Sequence, residues 1–74
     1  MSEELIALFA DIFDVEPDEL TPETTLEELC ADEYDLEEIS FNLEELFDFE
    51  PDVKKLKKLK TLHDVQEYVK ENAK

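Results

Sequence analysis

Residues 32–47 read DEYDLEEISFNLEELF, and this stretch decides the fold. Leu36, Ile39, Leu43, Leu46 and Phe47 recur at the spacing of one helix face, which predicts an amphipathic helix with that stripe turned to the core. Glu33, Glu37, Glu38, Glu44 and Glu45 fall largely outside the stripe. Asp32 is a good N-cap, with Asp35 at the third helical position. Acid in the first turn suits the positive end of the helix dipole, whereas Glu44, Glu45 and Asp48 oppose it at the far end. That unfavourable end hints at a surface kept for a purpose other than stability. Phe41 lies off the stripe and is either a stray surface aromatic or a partner contact.

Outward from this helix the pattern repeats. Upstream, Leu5, Leu8, Phe9, Ile12 and Phe13 mark a first helix capped by Ser2. Pro17 disfavours helical geometry at Glu16, so that helix ends near Asp14. Residues 15–31 form a long connection carrying Pro17 and Pro22, within which Thr25 and Glu28 make a capping box for one short turn ending near Leu29. Downstream, Pro51 stops the region and Asp52 caps a short helix with Val53, Leu56 and Leu59 inward. Between them stand Lys54, Lys55, Lys57, Lys58 and Lys60, five of the seven basic residues. Thr61 and Asp64 then box the start of a last helix, with Leu62, Val65 and Val69 inward and Tyr68 beside them. The expectation is an all-α bundle of three longer helices plus a short third one, in a single domain over residues 1–74.

Composition narrows the function. A chain of 74 residues buries only about 60% of its extended surface on folding, so one modest core is expected. Hydrophobic residues at 42% argue against disorder, and the absence of glycine argues against a β-rich fold with tight hairpins. The net charge of −16 repels nucleic acid and anionic lipid and favours basic protein surfaces as partners, although acidity also simply keeps a small protein soluble. Cys30 is the one cysteine, which fits a reducing cytoplasm, and its expected place is as a small buried apolar residue. The segment from Leu5 to Ala10 is too short for a membrane span or an export signal. No membrane partner is expected.

No constellation for catalysis stands out. His63 is the only histidine, expected at the surface, and Ser2 and Ser40 are the only serines. No glycine-rich loop is present to cradle phosphate, and no Cys/His spacing suits zinc. Asp14, Glu16 and Asp18 imitate the start of a calcium loop, but its glycine is missing and Thr25 stands where a bidentate Glu belongs. Neither an enzyme nor a metal site is expected.

In order and spacing these segments resemble the acyl carrier protein family along nearly the whole chain. Residues 18–21 (DELT) resemble the segment after its first helix, and residues 25–29 (TLEEL) the stretch leading to its prosthetic-group motif. Residues 38–47 (EISFNLEELF) are similar to its second helix, and 59–65 (LKTLHDV) with Tyr68-Val69 to its closing helix. The resemblance implies a Gly-x-Asp-Ser-Leu run bearing 4'-phosphopantetheine on the serine. Here the run reads Cys30-Ala31-Asp32-Glu33-Tyr34, with Glu33 in the serine's place. A carboxylate would form only a mixed anhydride that hydrolyses, so no covalent arm is expected at Glu33. Glu33 is otherwise a helix-favouring acid in a first turn. Ser40 is expected to face inward, and Tyr34, a bulky phenol, is a poor substitute. The lysines of the third helix also depart from the family, which is usually acidic there.

The resemblance implies docking on basic surfaces of acyl-chain or peptide-assembly enzymes. By carry-over from the family's recognition helix, Asp32, Glu33, Tyr34, Asp35, Glu37, Glu38 and Phe41 would form that face, on a monomer without an arm. A genuine carrier modified at an unusual residue, and an acidic interaction or inhibitor protein sharing only the bundle, are the alternatives.

Overall fold

The computed structural model describes residues 2–73. Four α-helices follow one another: α1 (Glu3–Phe13), α2 (Glu33–Phe47), α3 (Val53–Lys58) and α4 (Leu62–Asn72), with a 3-10 turn at Pro17–Glu19 in the long connection after α1. Each begins where a side chain satisfies the free amides of a first turn. For α1, the Leu5 N–H donates to Ser2 Oγ at 3.2 Å. For α2, Asp35 N–H donates to Asp32 Oδ1 at 2.9 Å while Asp32 N–H donates back to Asp35 Oδ2 at 3.2 Å. Asp52 caps α3 by accepting the Lys54 N–H at 2.9 Å.

At α4, Thr61 accepts the Asp64 N–H at 3.1 Å, and the Asp64 carboxylate accepts from both Thr61 and Lys60 N–H groups at 3.2 Å. Those backbone donors, Thr61 first, hold the Asp64 carboxyl below the ordinary carboxylate range.

Two helices end on aspartates in the left-handed region, Asp14 (φ 54) after α1 and Asp48 (φ 55) after α2. Glycine normally takes this C-terminal position, and this chain has none. Cys30 (φ 57) turns the chain in the same way just before α2.

The core draws on every α-helix. Leu5 and Phe9 from α1, Ile39 and Leu43 from α2, Leu56 from α3, and Leu62 and Val65 from α4 are its fully buried side chains. Each contributes on the order of 1.5–3 kcal/mol through burial. Phe9 and Phe13 stack at 6.0 Å between ring centroids, and Phe49 meets Tyr68 edge-on at 5.8 Å. The long connection is held down by Leu20 and Leu26, both buried.

The expected Thr25–Glu28 box is present: Glu28 N–H donates to Thr25 Oγ1 at 3.0 Å and Thr25 N–H to Glu28 Oε2 at 3.4 Å. An isolated antiparallel bridge pairs Thr25 with Thr61. Around it, Leu26 N–H donates to the Lys60 carbonyl and Leu62 N–H to the Thr24 carbonyl, both at 2.9 Å.

Two placements differ from expectation. Leu46, assigned to the buried stripe of α2, is 47% exposed and lines a shallow groove with Ala7 and Leu8 of α1. Its place is taken by Phe49, which the left-handed turn at Asp48 folds back into the core. Cys30, expected to be buried, is exposed. It sits on a tight turn outside the core, where the Ala31 N–H reaches back to the Leu26 carbonyl at 3.0 Å. Among the described residues, no helix is long and apolar enough to cross a membrane.

Candidate functional site at the start of the second helix

The capping box fixes the register of α2 and so fixes what each candidate residue presents. Asp32 and Asp35 spend carboxylate oxygens on backbone amides. Glu33, the first helical residue, reaches across to α3, where Lys57 Nζ donates to its Oε1 at 3.0 Å. Three of the seven proposed docking residues are thus engaged within the molecule. The other four share one face. Tyr34, Glu37, Glu38 and Phe41 stand at i, i+3, i+4 and i+7, a single exposed ridge along the helix. Tyr34 is 82% and Phe41 62% exposed, so both aromatics stand in water on this ridge.

Beside this ridge a cleft of about 600 Å³ opens between α2, α3 and the preceding turn. Leu26, Leu36, Leu56 and Leu59 give it an apolar floor, while Glu27, Asp32, Glu33, Lys57 and Lys60 stand at its rim. The Glu33–Lys57 pair crosses that rim with the Lys57 side chain 47% and the Glu33 side chain 67% exposed. An exposed pair of this kind stabilises by roughly 0–1 kcal/mol, so it marks a geometry more than it holds one. The cleft and its ion pair are not readable from spacing, because Glu33 and Lys57 are far apart in sequence and meet only through packing of α2 on α3.

Attachment chemistry is missing at this position. Glu33 has no hydroxyl to esterify. Ser40 lies two turns further along α2 and is half-buried, in keeping with the expectation that it turns inward. Ser2 caps α1. Asp32 and Glu33, the residues that open α2, thus carry no hydroxyl for a phosphodiester. Among the described residues, no group of three or more His, Cys, Asp or Glu side chains is placed to hold a metal ion, and His63 lies exposed beside Glu67 at 3.6 Å.

Residues 3–69 match the family described as "Phosphopantetheine attachment site". The acyl carrier protein of Syntrophus aciditrophicus (strain SB) is 34% identical over 71 residues, covering 95% of this chain and 89% of that protein. Such proteins are carriers and not enzymes, in line with the lack of a catalytic constellation in the sequence. On the match across its helices and on this identity, the chain belongs to the phosphopantetheine attachment site family, that of the acyl carrier proteins.

Proposed function

We propose that this chain is an arm-less member of its family, a docking module of the cytoplasm that works as a monomer. It binds basic surfaces of fatty acid, polyketide or peptide-assembly enzymes through α2 and carries no covalent phosphopantetheine. The observation that carries this reading is Glu33. It occupies the first position of α2, directly after the Asp32 cap, the place that the family resemblance assigns to the modified serine, and its carboxylate pairs with Lys57 at 3.0 Å. Tyr34, Glu37, Glu38 and Phe41 supply the docking ridge, with acids for a basic partner and aromatics for its apolar contacts.

A second reading, a genuine carrier modified at a non-standard residue, is favoured by the exposure of Tyr34 beside Glu33. One experiment separates the two. Incubated with a broad-specificity phosphopantetheinyl transferase and coenzyme A, the protein keeps its unmodified mass. The triple change Cys30→Gly, Glu33→Ser and Tyr34→Leu restores the family's run and accepts the arm. A mass gain on the unaltered protein sinks the arm-less reading, and peptide mapping then names the residue. A folded triple variant that stays unmodified counts against the register that places Glu33 at the attachment position.

A further inference from the structure

The acids and the lysines of this chain occupy separate strips that touch. No basic residue precedes Lys54, and twenty of the 23 acids do. Lys54, Lys55, Lys57, Lys58 and Lys60 then follow within seven positions. Despite that surplus of acid, Lys57 alone of the five makes an ion pair within 4 Å among the described residues. The other four are exposed. The Glu33–Lys57 contact at 3.0 Å fixes where the two strips join, at the start of α2 and the last turn of α3.

We infer that α2 and α3 form one bipolar docking surface, whose partner carries a basic strip lying along α2 beside an acidic strip that meets the lysines of α3. This rests on the α2 docking reading above and goes beyond it, since a uniformly basic partner does not fit. At about 0.1 M salt, charges act over a Debye length near 10 Å, so a docked partner feels the charges it touches more than the distant part of the net charge. A basic surface laid over both strips meets repulsion at α3. An acidic surface meets it everywhere else. Only the two-signed partner satisfies both, and it does so in one orientation, which is what charge complementarity supplies at interfaces. Tyr34 and Phe41 supply the apolar anchors within the acidic strip. A second copy of the chain is also two-signed, but two molecules of charge −16 oppose one another on approach.

Two peptides test this by fluorescence anisotropy at about 0.1 M sodium chloride. One is a basic amphipathic Arg/Leu helix. The other is the same helix continued through a short Gly/Ser linker into an Asp/Glu segment. The extended peptide binds roughly five- to tenfold tighter than the basic one, as a second linked contact allows. Lys54→Glu, Lys58→Glu and Lys60→Glu together erase that gain while leaving basic-peptide affinity equal or higher, with an unchanged circular dichroism spectrum. An extended peptide that binds no tighter, or a gain that survives the triple reversal, overturns the bipolar surface and leaves α2 docking standing. A basic peptide indifferent to Tyr34→Ala with Phe41→Ala removes α2 docking and the bipolar surface with it. A concentration-dependent dimer in sedimentation makes the occupant a second copy and overturns the two-signed partner.

Discussion

α2 and α3 face each other across one cleft, yet their charges act on their own helices in opposite senses. α2 runs for 15 residues with six acids and no base, and its last turn ends against the dipole on Asp48. α3 has six residues, and Lys55, Lys57 and Lys58 lie in its last turn, where cations favour the helix. A helix as short as α3 has no independent stability, so its lysines help a segment that needs help. The acids at the far end of α2 help nothing local. Burial of Leu36, Ile39 and Leu43 holds α2 in spite of them. A charge pattern that works against its own helix belongs with the exposed aromatics as a surface feature, whereas the lysines have a structural use as well as an outward one.

The largest effect that bears on this contrast is in the core. Leu43→Ala in α2 and Leu56→Ala in α3 each remove a side chain with no more than 1% exposure and each lowers stability by about 2–5 kcal/mol. Urea titration compares them. A loss below about 1 kcal/mol at Leu56 would mean that α3 is held by charge and not by the core.

Salt gives the next largest effect. With 23 acids against seven lysines, repulsion dominates, and screening relieves it. Thermal midpoints rise between low and about 0.5 M sodium chloride. Midpoints that fall instead would mean that Lys–carboxylate attraction between α3 and α2 outweighs the repulsion within α2.

The smallest effect lies at the two helix ends. Asp48→Gly relieves a left-handed residue (φ 55) and removes an acid from the end of α2, raising stability by about 0.5–1 kcal/mol. In a domain of this size that is a shift of several degrees in midpoint. Leu59 after α3 is extended (φ −77), so Leu59→Gly lowers the midpoint. Equal responses at the two sites would erase the difference drawn between these ends.

The helices were legible because their caps and stripes are local. Ser2, Asp32, Asp52 and Thr61 each cap the helix assigned to them, and the Thr25–Glu28 turn forms as its spacing implies. What failed depends on the path of the chain after a helix ends. The stripe of α2 continues on paper through Leu46, but only the left-handed turn at Asp48 decides that Phe49 swings inward and Leu46 stays out. Cys30 departs from the burial usual for its residue type because its backbone occupies a glycine-like turn. Within the candidate site, the exposed place of Phe41, off the buried stripe, was readable. The cleft and the Glu33–Lys57 contact were not, since both arise where α2 and α3 pack together.

The Thr25–Thr61 bridge has a consequence for how the chain reaches this fold. It joins positions about 36 residues apart, and closing a loop of that length costs roughly 3 kcal/mol of chain entropy before its own bonds return anything. Helical turns form from neighbours in well under a millisecond. The Leu26-to-Lys60 and Leu62-to-Thr24 bonds must wait until α2 and α3 have brought their ends together. The bridge is then a late event in folding and an early one in unfolding.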